Sequence, residues 1–298
     1  MRCSSNAVAS LLVMAVAAIG FGVPTRGADD EPDAPSADEL KARLHLAGEH
    51  VRRFELRRDS ECGLRGNSGG GLRGDDEVIE FIDQPLLAYG DSARVNSNGT
   101  LWAWGKLGRP VAFMELFQGA EKEDPNWVHA VTLTSSERVL LMTPDSGRWQ
   151  PPQSPLEPAP IPGAPTPAEK APARLRQLRD LARRFTAHQF WDPDNSRFEL
   201  RVLVQPVLRY ADAAAGIHDG AAFVIAHGTN PEVILLIEAI GPSIDKARWR
   251  FALARSSHAE AHVEFDGQEI WQCDRAGNGA DGPDKSYWLF ASPAEARK

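Results

Sequence analysis

His258 and His262 stand four residues apart in "HAEAH". On a helix that spacing puts two imidazoles on one face, ready to share a zinc ion. The segment alternates, however, and reads as a strand, where four residues cover roughly 13 Å, too far for one metal. The glutamate between them is also misplaced for a metalloprotease signature, so no metal is expected. "WDPDN", at residues 191–195, sets two carboxylates at alternate positions with an amide next to the second, but lacks the glycine and distal glutamate of a calcium loop. It reads as a turn, as does "HDG" at residues 218–220. There is no Cys–His arrangement with a clear orienting partner. No catalytic residue and no cofactor are assigned, although a carboxylate pair would leave no signature.

The aromatic residues are the stronger lead. Trp102 and Trp104 share one face of a strand, and such faces bind sugars or peptides when exposed and build cores when buried. Trp127/Trp249 and Trp149/Trp271 recur at a spacing of 122, which favours scaffold positions. The candidate ligand-binding residues are Trp102, Trp104, Glu115 and His129.

Two helices must position these groups. "SADE", beginning at Ser36, is a capping box that opens the stripe Leu40, Leu44, Ala47, Val51 and Phe54. "TPAE" repeats the signal with Thr166 as cap, Pro167 at the first helical position and Glu169 as return partner. Leu175, Leu178, Leu181, Ala182 and Phe185 then form a buried face. Arg174, Arg176, Arg179 and Arg183 read as a solvated face rather than an anion-binding one.

Short alternating or β-branched runs follow each helix, and the two halves echo one another. Residues 84–110 and 205–231 share eight identities over 27 positions, among them Tyr89/Tyr210 and Gly99/Gly220. The expected fold is α+β: two repeated modules, each one helix packed on an antiparallel β-meander of five or six strands. "RWRFALAR" and "AEAHVEF" read as a hairpin pairing Leu253 with Ala261, Phe251 with Val263, Trp249 with Phe265, and Arg250 with Glu264. Carried back by 122 residues, this register puts Trp127, His129 and Val131 on the core face opposite Thr143, Leu141 and Val139. His129 then takes the place of Phe251, either as a neutral core histidine or as the polar group of a pocket near Glu115.

The start of the chain reads as a signal peptide over residues 1–27: Arg2, an uncharged apolar run, and Thr25 and Gly27 before the cleavage point. An acidic tail (28–37) precedes the first module (38–149, with a glycine-rich insertion at 62–74), a proline-rich linker (150–172) and the second module (173–298). The linker's prolines exclude a regular helix and favour an extended connector. The insertion lacks the lysine of a phosphate loop. The location expected is exported, periplasmic or extracellular, with no stable membrane span after cleavage. Formal net charge is −8, a poor basis for nucleic-acid binding. Export permits a disulfide between Cys62 and Cys273, which the sequence neither requires nor excludes.

The "W/Y…G…FxW/A…GxPE" run, the proline-rich joint and the arginine-rich helix resemble a family of exported proteins from planctomycete bacteria with no known activity. The resemblance spans about Glu39 to Trp271 and implies the fold and export, not a functional residue. The reading of function is a non-catalytic binding or interaction protein whose partner is an unidentified protein or small molecule. An envelope hydrolase using carboxylates and His129 in a cleft is the alternative, with a structural envelope component as a third.

Overall fold

The computed structural model describes residues 36–58, 77–91, 96–118, 126–144, 147–151, 156–277 and 281–292. The signal peptide, most of the acidic tail and the glycine-rich insertion with Cys62 lie outside the described residues. Helix α1 (Ala37–Val51) starts at its capping box: the Ser36 hydroxyl accepts from the Glu39 N–H, and the Glu39 carboxylate accepts from the Ser36 N–H at 2.7 Å. Helix α2 (Ala171–Ala182) starts later than "TPAE" indicates, with Lys170 as N-cap and no side-chain cap bond. The reason lies in side chains of the helix itself. Gln177 accepts from Ala168 N–H and donates to Thr166 O, and Arg174 donates to the carbonyls of Ala168 and Glu169, so the would-be first turn is held extended.

Seven strands follow α1: β1 (Glu55–Arg58), β2 (Leu87–Asp91), β3 (Asn96–Trp104), β4 (Ala112–Gln118), β5 (Trp127–Leu133), β6 (Val139–Met142) and β7 (Arg148–Trp149). β8 (Ala159–Pro160) lies in the proline-rich segment. After α2 come β9 (Phe185–Phe190), β10 (Arg197–Val202), β11 (Leu208–Asp212), β12 (Ile217–His227) and β13 (Asn230–Ile240). The last four are β14 (Arg248–Arg255), β15 (Glu260–Phe265), β16 (Gln268–Cys273) and β17 (Tyr287–Ser292).

These strands form three antiparallel sheets, in the orders β1-β6-β7, β17-β5-β4-β3-β2 and β16-β15-β9-β10-β12-β13-β14-β8, with β11 also on β12. The protein is mostly β, and the expected pair of modules, each one helix on its own meander, is not what forms. The final strand β17 leaves its own half and pairs with β5 of the first, Tyr287 opposite Thr132 and Ser292 opposite Trp127. In exchange, β8 lies on β14, where Pro160, lacking an N–H, suits an edge.

The expected hairpin of β14 and β15 is also absent. β14 is bonded to β13 and β8, while β15 is bonded to β9 and β16, so Leu253 lies beside Leu235, and Ala261 beside Gln189 and Cys273. Arg250 meets Glu238 rather than Glu264. Yet Trp249, Phe251, Leu253, Ala261, Val263 and Phe265 all enter one core. Alternation fixes which face of a strand is buried and leaves its lateral neighbour open. "SSHA" supplies no tight-turn residue pair to force a hairpin.

Each helix covers a core on the outer side of its sheet, Trp102, Trp104 and Met114 under α1 and Phe223, Ile225 and Leu235 under α2. A third core lies between the sheets, where Leu101, Ala103 and Phe113 meet Ala222, Val224, Ile234 and Leu236. β12 and β13 are therefore buried on both faces, which accounts for their nearly unbroken apolar runs.

Candidate functional site

Between α1 and the β2–β3 edge lies a cleft of about 420 Å³. Leu40, Leu44 and Ala47 of α1 form one wall, and Ala88, Tyr89, Gly99 and Thr100 form the floor; Trp127 adds an aromatic surface. The helix does not close over it: Leu40 and Leu46 stay 45% and 44% exposed. Polar groups are few. Arg43 donates to Asn98 Oδ1 at 2.5 Å at the rim. Thr229, from the β12–β13 turn, donates to Gly90 O at 3.0 Å, so the second half contributes to the wall. The floor depends on Gly99, where an added Cβ would stand 2.2 Å from the ring of Tyr89.

The same construction occurs under α2 with a different outcome. Tyr210 lies over Gly220, as Tyr89 lies over Gly99. The residue before that glycine, Asp219, is buried and accepts from Arg174 of α2 at 2.7 Å and from Arg209 at 2.9 and 2.6 Å. Arg209, beside Tyr210, holds the position that Ala88 holds beside Tyr89. Arg174 is thus part of a buried ion pair and not of a solvated face.

The residues expected at a ligand site are only partly together. Trp102 and Trp104 are buried in the core under α1, with Phe81 stacked on Trp102 and tilted against Trp104, and Trp102 Nε1 donates to Thr100 Oγ1 at 2.9 Å. Neither presents a ring to solvent. His129 is fully buried in the same core, its Nε2 2.9 Å from Nε2 of His50 and its ring stacked on Phe290. Burial, and next the nearby His50, push its pKa down to about 3. Glu115 is elsewhere. It pairs with Ala130, one register step from the Leu116–His129 pair, and consecutive residues of a strand face opposite sides. Glu115 and His129 therefore face opposite sides of the sheet and do not share a pocket.

Glu115 instead lies between the sheets, accepting from the Tyr89 hydroxyl at 2.6 Å and from the Ser256 hydroxyl. It lines a smaller cavity of about 160 Å³ with Asn230, Ser256, His258 and Tyr287. Burial, and then the charge of Glu115, raise the Tyr89 pKa well above the ordinary value. At the other end of the interface Glu238 accepts from Arg109 at 2.6 Å, from Tyr210 at 2.9 Å and from Arg250 at 2.9 Å. Burial alone would raise the Glu238 pKa, but these donors, Arg109 foremost, hold it below the ordinary value.

Sequence reasoning missed Arg43, Ala88, Asn98 and Ser256. A signal for Ala88 and Asn98 was present: the second half has Arg209 and Asp219 in their places, beside a tyrosine and a glycine common to both.

His258 and His262 go separate ways, His258 3.9 Å from Asp281 and His262 between Glu260 at 3.1 Å and Glu269 at 2.9 Å. Among the described residues no group of three or more His, Cys, Asp or Glu could hold a metal ion, and no helix is long and apolar enough to cross a membrane. No family model, no curated protein and no solved structure matches the chain.

Proposed function

We propose that the protein is an exported, non-catalytic binding protein and that the cleft under α1 takes a small, mainly apolar molecule. Its size and lining, apolar walls with a few polar groups at the rim, are those of small-molecule sites. One observation carries the reading: the equivalent place under α2 is filled by Arg209 and its ion pair with Asp219, whereas Ala88 leaves the first place open. The tyrosine-over-glycine construction shared by the two halves supports an origin by duplication, with one copy closed and the other left open. The exposed leucines of α1 gain cover when a ligand enters, which supplies the driving force.

The test is Ala88→Arg, which brings the bulk of the closed site into the cleft. N-phenylnaphthylamine, a neutral apolar fluorophore, is expected to brighten with the wild-type protein and to lose at least about tenfold in affinity with the variant. Equal brightening of both proteins would place any binding outside the cleft and overturn the proposal.

A further inference from the structure

Both helices offer an arginine to the residue that precedes the glycine under a tyrosine. Under α2 the acceptor is the Asp219 carboxylate, clasped between Arg174 and Arg209. Under α1 the acceptor is Asn98, a neutral amide, and Ala88 replaces the second arginine. Relative to the closed site, the cleft has lost one carboxylate and one guanidinium and has kept the guanidinium of Arg43. The acid nearest to Arg43 along the helix, Glu39, is hydrogen-bonded to the N–H and hydroxyl of Ser36 and feels the charge of Arg43 only as a lesser influence.

We infer that the ligand of this cleft is an amphipathic monocarboxylate, an inference that rests on the binding function proposed above. Its carboxylate takes at Arg43 the role that Asp219 has at Arg174, as planar guanidinium and carboxylate make paired charge-assisted bonds. Its hydrocarbon part lies along Leu40, Leu44 and Ala47 of α1 and against Trp127. One retained cation matches one anionic group. An uncharged ligand leaves Arg43 on Asn98 and gains no charge-assisted bond, and a multiply charged one would leave an excess negative charge beside apolar walls.

Octanoate and octanol, equal in chain length and different in head group, separate this inference from the one beneath it. Their affinities are measured by displacement of N-phenylnaphthylamine from the wild-type protein, Asn98→Asp and Arg43→Gln. Octanoate is expected to bind the wild type about tenfold or more tighter than octanol. Asn98→Asp gives Arg43 an internal carboxylate, as in the closed site, and should bring that ratio close to one; Arg43→Gln should do the same by removing the cation. Equal affinities in the wild type, or a preference that survives both substitutions, would overturn the carboxylate assignment and leave the cleft as an apolar site. If neither compound displaces the fluorophore, the cleft reading falls and this inference falls with it. Far-ultraviolet circular dichroism confirms that each variant, altered at a rim position, remains folded.

Discussion

His50 on α1 and His129 on β5 face each other through their Nε2 atoms at 2.9 Å, both rings buried. One hydrogen fits between two such nitrogens, so the contact requires complementary neutral tautomers. Nδ1 of His129 faces the Phe290 carbonyl at 3.4 Å, which makes Nδ1–H the donor there and leaves Nε2 to accept from His50. The histidine pair thus fastens the last turn of α1 to the first sheet and, through Phe290, to the chain's final strand.

Acid should release this fastening. The folded-state pKa of His129, about 3, lies below the value of 6.5 for a free histidine, so the unfolded chain binds the proton more readily. The contribution to stability is complete above pH 6.5 and declines as pH falls from 6.5 towards 3, with a slope approaching about 1.4 kcal/mol per pH unit from this group. Urea unfolding at pH 7.5, 6.0 and 5.0 measures that slope, and an imidazole resonance of His129 titrating near 6.5 would contradict it.

Glu238 should be among the costliest single positions. Glu238→Leu leaves Arg109 and Arg250 facing each other at the interface and strips Tyr210 of its acceptor. A loss of about 3–5 kcal/mol is expected from breaking a buried pair on one side. Chemical denaturation of the variant tests this; a loss within experimental error would mean that the network is merely tolerated.

Gly220→Ala should destabilise by about 1–3 kcal/mol, because the new methyl would stand 2.4 Å from the ring of Tyr210 and the core is too dense to yield. Gly277→Ala meets nothing within 4 Å and serves as the control, with an effect within about 0.5 kcal/mol. Thermal melting of the two variants side by side gives the comparison.

Trp288→Pro should uncouple β17 from β5. Leu289 turns its N–H outward to Asp281, so the N–H of Trp288, next along the strand, is the one directed at β5. Hydrogen exchange should quicken in β5 and β4 well before β12 and β13; uniform loss across both sheets would show that the sheets open as one unit.

The residues show why some features were legible in the sequence and others were not. Capping at Ser36 and Glu39 is a local matter, decided within one turn, and the string carries all of it. Burial of Leu253 and Ala261 was legible because alternation marks a face. Their separation into different strand neighbourhoods was not, since β9 and β8, far off in the chain, take the places beside β15 and β14. His129 was set correctly on the core side, but its partner His50 lies on a helix, and no spacing rule links them. The cleft escaped notice because a cavity is defined by small residues, and Ala88 signals only when set against Arg209.

The exchange of β17 for β8 also bears on how the molecule is made. β5 emerges about 160 residues before the strand that completes its sheet. At the pace of ribosomal synthesis, about 5–20 residues per second, the intervening residues take roughly ten to thirty seconds to make. The half synthesised first is thus the half finished last. Any exposure of Trp127, Phe54 and the His50–His129 pair during that interval is a vulnerability built into the order of the strands, and a holding chaperone would find its target there rather than in the second half.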